Sequence, residues 1–135
     1  NIRNTPELRA KIVSVIGAVR PDVVVTIYGG AKFGPGMPNQ RDHIEFAAAV
    51  TDAWDTCEDP PRWLFQGGPG ATHVEDVADY LDIATQSLSA HEVYLAVLDP
   101  ATPVHEQARR VVEMTTSAQP GRRVAGFLLQ RSAVG

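Results

Sequence analysis

Val23-Val24-Val25-Thr26-Ile27-Tyr28 is a run of β-branched and aromatic residues with no polar alternation. Such a run suits a strand covered on both faces, and a strand of that kind belongs to a parallel sheet between helices. Two further apolar runs, Trp63-Leu64-Phe65 and Val93 to Leu98, read the same way, and Val124 to Leu129 reads as a last strand. Between them lie stretches with helical spacing. Thr5-Pro6-Glu7 supplies a hydroxyl N-cap, a proline at the first helical position and a carboxylate in the first turn. Leu8, Ile12, Val15, Ile16 and Val19 then form one stripe, ended by Arg20-Pro21. A second helix, capped by Asn39 or Asp42, carries Ile44, Ala47, Ala48 and Trp54 as far as about Cys57, where Asp59-Pro60-Pro61 breaks it. Thr72-His73-Val74-Glu75 has the form of a capping box, opening a third helix with Val74, Val77, Leu81, Thr85 and Leu88 on one face. Thr102-Pro103 opens a fourth, with Val104, Ala108, Val111, Val112 and Thr115 toward a core.

The predicted order is therefore α-β-α-β-α-β-α-β. It implies one α/β domain over residues 1–135, built in three layers around a mainly parallel sheet of about four to five strands, with the helix of residues 1–20 preceding the sheet. A length of 135 residues fits one domain with a real core. In such sheets ligands sit beyond the carboxyl ends of the strands. Three predicted loops leave that edge: Gly29 to Pro38, Gly67 to Ala71, and Asp99 to Thr102.

Bulk properties narrow the partners. The net charge of -4 and the absence of any Lys/Arg run speak against a nucleic-acid polymer. No stretch approaches the length of a membrane span, and no signal-peptide pattern is present, so a cytoplasmic protein is expected. A start at Asn1 rather than Met leaves room for trimming upstream. The single cysteine, Cys57, allows neither an internal disulfide nor a paired-cysteine zinc site. His43, His73, His91 and His105 are too scattered for a metal motif, so no metal and no cofactor are expected. The stripe Leu8, Ile12, Val15, Val19 exceeds what one small sheet covers and points to a homo-oligomer.

The candidate site residues each carry two readings. Gly29, Gly30 and Lys32 can receive a phosphate on backbone N–H groups and a positive charge, or can serve turns. Gly68 and Gly70 lead toward the capped third helix, which also suits an anion. Glu106 falls in the first turn of the fourth helix, where a carboxylate stays ionised and nucleophilic, or merely complements the helix dipole. Asp99 either binds a sugar hydroxyl at the ligand edge or caps a turn. His105 beside Glu106 points about 100° away from it on a helix.

"VTIYGGAKFGPGMPNQRDHIEFAAAV" followed by "WLFQGGPG" resembles the opening of the LOG-type, or lysine-decarboxylase-like, nucleotide phosphoribohydrolases. "SAHEVYLAVLDPATPVHEQARRVVE" resembles the nucleoside 2-deoxyribosyltransferase family. The resemblance implies a Rossmann-like frame and cleavage or transfer at the N-glycosidic bond of a small nucleoside or nucleotide. It implies Glu106 as nucleophile and Asp99 and Glu92 as sugar or base contacts. Tyr28, Gly29 and Gly30 become the binding edge of the first loop. The alternative is a non-catalytic nucleotide-binding or protein-interaction α/β module. It is favoured by Pro103-Val104-His105, which stand before Glu106 where those families carry glycines.

Overall fold

The computed structural model describes residues 1–134. Among them are five α-helices and seven strands. The main sheet has the order β1 (Val23–Thr26), β4 (Trp63–Gly67), β7 (Arg122–Ser132), β5 (His73–Asp76), with β6 (Ser117–Gln119) also paired to β7, and β2 (Lys32–Gly34) and β3 (Met37–Pro38) form a separate hairpin. The chain divides into two compact units: Asn1–His73 with the C-terminal stretch from Gly126, and Val74–Ala125. No helix among the described residues is long and apolar enough to cross a membrane.

In the first unit, α1 (Pro6–Val19) begins as its sequence requires, with the Thr5 hydroxyl accepting from the Leu8 N–H at 3.3 Å. It ends at Arg20, a left-handed residue with φ 51° whose N–H donates to the Ile16 carbonyl. β1 (Val23–Thr26) runs parallel to β4 (Trp63–Gly67), pairing Val23 with Trp63 and Thr26 with Gln66. α2 (Arg41–Asp55) buries Ala47, Ala49, Val50 and Ala53, small side chains that let its backbone approach the strands closely. Leu64, Thr26 and Gln66 are buried on the strands, and Ile16 is buried on α1. The segment before α1 is tied to α2: Asn4 N–H donates to Glu45 at 2.9 Å and the Asn4 amide to Asp52 at 2.8 Å.

The hairpin of β2 (Lys32–Gly34) and β3 (Met37–Pro38) occupies what the sequence presents as a loop. Gly36 turns it at φ 73°, a conformation that glycine adopts freely.

The second unit begins with β5 (His73–Asp76), whose first residue closes the first unit, and a short 3-10 turn over Ala78–Tyr80. α3 (Leu81–Ser89), α4 (Glu92–Leu98) and α5 (Val104–Thr115) follow, with α3 and α4 both packed on α5. Leu95, Ala108, Val112 and Val124 are its buried apolar residues, joined by Thr85 and Gln107. β6 (Ser117–Gln119) turns at Gly121 into β7 (Arg122–Ser132), which continues into the first unit.

Three expectations are corrected. Val93 to Leu98 is not a strand but lies within α4: a short apolar run without alternation fits a helix as well as a strand, and here only Leu95 is buried while Val93, Tyr94, Val97 and Leu98 are exposed. The capping box at Thr72 opens no helix. The Thr72 hydroxyl accepts from Leu129 N–H at 2.9 Å, and Thr72 N–H donates to the Phe127 carbonyl at 2.9 Å. Pairing with β7 thus takes the groups that a helix start would have used. The sheet is mixed rather than mainly parallel: β1 and β4 are the parallel pair, and β7 is antiparallel to both β4 and β6. A last strand that returns by hairpin from β6 has no crossover helix and so meets its neighbour antiparallel.

Candidate functional site

The parallel pair β1 and β4 ends at two glycine-bearing turns, so the carboxyl edge expected to carry a ligand exists in the first unit. There Tyr28, Gly29, Gly30 and Gly68 come together. The Tyr28 ring lies across both turns. A Cβ on Gly68 would stand 2.7 Å from the ring's Cγ and Cδ2, and one on Gly30 would strike the ring and hydroxyl. A Cβ on Gly29 would stand 2.7 Å from that of Ala47 on α2. These three glycines are therefore required by the protein's own packing, whatever else they do. Gly70 meets nothing, and its requirement is backbone conformation, φ 79°.

Beneath the first turn sits a polar cluster that the glycine reading passes over. Gln66 is buried, and its side-chain oxygen accepts from Gly29 N–H at 3.0 Å. Asn39 fastens the turn from the other side, its amide donating to the carbonyls of Tyr28 at 2.8 Å and Gly30 at 2.9 Å. The Asn39 oxygen in turn accepts from Gln40 N–H at 2.8 Å and faces His43 Nδ1 at 3.1 Å. Thr26, opposite Gln66 in the ladder, is 8% exposed and its hydroxyl has no hydrogen-bond partner. The signal for both buried residues was available: Thr26 and Gln66 are the polar members of otherwise apolar strands, at the ends that face the turns.

Lys32 is exposed at the start of β2. Its neighbour Phe33 packs against Tyr28 with ring centroids 5.4 Å apart, which joins the hairpin to the glycine turns. The N-terminus of α2 has no side-chain cap, and Asp42 in its first turn accepts from Ile2 N–H at 3.2 Å. A cleft of about 780 Å³ lies at the other end of the parallel pair, lined by Ile16, Arg20, Asp22, Cys57 and Pro61 among others, and none of the candidate residues reaches it. Burial raises the pKa of the Cys57 thiol there.

In the second unit the three candidate carboxylates do not share a cavity. Glu92, in the first turn of α4, lines a groove of about 530 Å³ with Ser89, Val93, Ala96, Val104 and His105. His105 Nδ1 lies 3.4 Å from the Ser89 oxygen, but that hydroxyl donates to the Thr85 carbonyl at 2.7 Å, so Ser89 is not poised as a nucleophile. Glu106 is outside this groove and forms an ion pair with Arg110, one helical turn on. Asp99 does not end a strand. It is the residue after α4, and its carboxylate accepts from Ala101 N–H at 3.2 Å. The Thr102 hydroxyl first, then backbone N–H groups and the Arg110 charge, hold the Asp99 carboxyl below its ordinary pKa. The buried Gln107 completes this turn, donating to the carbonyls of Asp99 and Thr102, each at 2.8 Å. Asp99 to Thr102 is a closed helix-to-helix connection.

Among the described residues no group of three or more His, Cys, Asp or Glu is placed to hold a metal ion. No protein-family model and no curated protein matches the chain.

Proposed function

We propose that the chain is a nucleotide-binding α/β module that takes a small nucleoside phosphate at the carboxyl ends of β1 and β4. The observation that carries this reading is the Thr26 hydroxyl, buried and unpartnered beneath turns that Gln66, Asn39 and Tyr28 hold rigid. An unsatisfied buried hydroxyl costs about 1–3 kcal/mol and calls for a partner such as a water, an ion or a ligand group. Lys32 would add charge for the phosphate. The proposal includes a cytoplasmic setting, in keeping with the one free thiol, Cys57. It leaves nucleic-acid polymers outside the partner set, since the chain is acidic overall.

Cleavage of the N-glycosidic bond is the second reading. In its favour, Glu106 stands in the first turn of α5 and its side chain is 41% exposed, open to a substrate. Against it stand the Arg110 ion pair and the engagement of Asp99 within its own turn.

Titration calorimetry with adenosine 5′-monophosphate tests the binding reading, with Thr26→Val as the informative variant. Valine keeps the shape and removes the idle hydroxyl. Its fold should be more stable by about 1 kcal/mol, while its affinity for the nucleotide falls several-fold. Wild-type protein that shows no heat of binding at millimolar nucleotide would remove the proposal.

A further inference from the structure

α4 is apolar on a side that packs against nothing. Leu95 is its one buried residue, whereas Val93 and Val97 are 81% and 76% exposed, with Tyr94 and Leu98 exposed beside them. At about 100° per residue these four side chains share one continuous face of the helix. Val93 also borders the groove of about 530 Å³ beside α4, whose other apolar walls are Ala96 and Val104. Single exposed apolar residues are ordinary, but four at helical spacing next to a groove make a contiguous patch, which marks an interaction site. Charge narrows the partner. Residues 74–125 carry eight Asp and Glu against four Arg, and the other residues carry eight of each sign, so the whole net charge of -4 belongs to this unit. Glu92 lines the groove at one end of α4, and Asp99 follows its other end. Two copies packed α4 on α4 would set carboxylate against carboxylate in either direction: Glu92 on Glu92 if parallel, Glu92 on Asp99 if antiparallel. A basic partner is attracted instead.

We infer that the exposed face of α4, with its groove, docks a basic amphipathic helix of another protein. The partner's apolar stripe covers Val93 and Val97, and its Lys or Arg residues lie toward Glu92 and Asp99. The partner is a helix because α4 and α5 spend their own backbone groups internally and offer side chains alone. An extended peptide laid there would bury N–H and C=O groups without partners, whereas a helix arrives with its own satisfied. An apolar stripe at helical spacing set into a groove between helices is also an established mode of peptide recognition. None of this depends on the nucleotide reading.

The test is fluorescence anisotropy on the whole chain with a labelled Leu/Lys peptide of about 18 residues, leucine on one helical face and lysine on the other. Two companion peptides carry the same residues scrambled, or glutamate in place of lysine. Wild type should bind the Leu/Lys helix and bind both companions at least tenfold more weakly. Val97→Ser should lose roughly tenfold, the scale of one buried valine contact, with an unchanged melt because Val97 is already exposed. Glu92→Gln should lose several-fold, while Glu75→Gln, which removes the same charge from β5, should bind as wild type does. Wild type that binds the Leu/Lys helix no better than either companion would overturn the inference, as would Val97→Ser binding undiminished. Equal losses in Glu92→Gln and Glu75→Gln would also overturn it, since they mean diffuse attraction to an acidic surface. Light scattering of the free chain adds one more outcome. A wild-type oligomer that Val97→Ser breaks up would give this face to a second copy and end the proposal.

Discussion

A carboxylate in the first turn of a helix is favoured by the N–H groups that the helix leaves unpaired, and Glu106 adds an ion pair with Arg110 on the same face. Both partners are substantially exposed, at 41% and 59%, so the pair is worth only about 0.3–0.5 kcal/mol. This gives a sharp expectation for Glu106→Gln. On the binding-module reading, wild type releases no free base from a panel of nucleosides and nucleotides, and the variant melts at a slightly lower temperature. On the glycosidase reading, wild type releases base and the variant does not, because glutamine cannot supply charge to an oxocarbenium-like transition state. Chromatography for free base, with a thermal melt of each protein, decides between them. Glycines draw attention as ligand contacts, yet Gly30 and Gly68 are fixed by the bulk of Tyr28. Thr26 and Gln66 are hidden in apolar strands, and their burial depends on tertiary packing, which local sequence does not place.

At the scale of elements, α1 was legible to within its cap, because Thr5, Pro6, Glu7 and the apolar stripe agree with one another. α2 and α5 were legible from periodicity, and β4 from its apolar core. The failures fall where local signals allow two outcomes. The run Glu92-Val-Tyr-Leu-Ala-Val-Leu contains helix formers and β-branched residues alike, and its packing on α5 selects the helix. β1 is apolar on both faces, but only Thr26 is buried, while Val23 and Val25 are 42% and 56% exposed. One contact between elements carries a pH dependence. Arg131 on β7 donates to both oxygens of Asp55 at the end of α2, at 2.7 and 2.9 Å. This hydrogen bonding, then the guanidinium charge, holds the Asp55 carboxyl below its ordinary value. A lowered native pKa gives stability that is present above the unfolded value, about pH 4, and lost as the pH falls through the native one. Asp55→Asn should therefore lower the melting temperature at pH 7 by an amount equivalent to at most about 1 kcal/mol, given the exposure of the pair. The two proteins should melt together once the pH has fallen below the lowered native pKa of Asp55. A difference that persists in acid would mean that the aspartate acts through packing rather than charge.

At the scale of the molecule, the apolar surface is more than scattered. The stripe expected on α1 is split: Leu8 and Ile12 are half-buried, whereas Val15 and Val19 are 53% and 66% exposed. On β1, Val23 and Val25 share one face of a strand at the end of the sheet order, and Ile27 follows in the same step at 40% exposed. An edge strand has unpaired backbone groups, and an apolar face beside them is the arrangement that monomeric proteins usually avoid or cover. We therefore expect the chain to self-associate through the face of β1. Covering it would remove apolar area at roughly 25 cal/mol per Å², the term that drives most association. A charge at its centre should block this at little cost to the fold, since Val25 is already more than half exposed and points away from Thr26 and Leu64. Light scattering across a dilution series should show wild type as a dimer or larger at micromolar concentration and Val25→Lys as a monomer with a nearly unchanged melt. Wild type that stays monomeric at those concentrations would refute the expectation. An oligomer that survives Val25→Lys would move the interface elsewhere, with the exposed Val15 and Val19 of α1 as the next surface to charge.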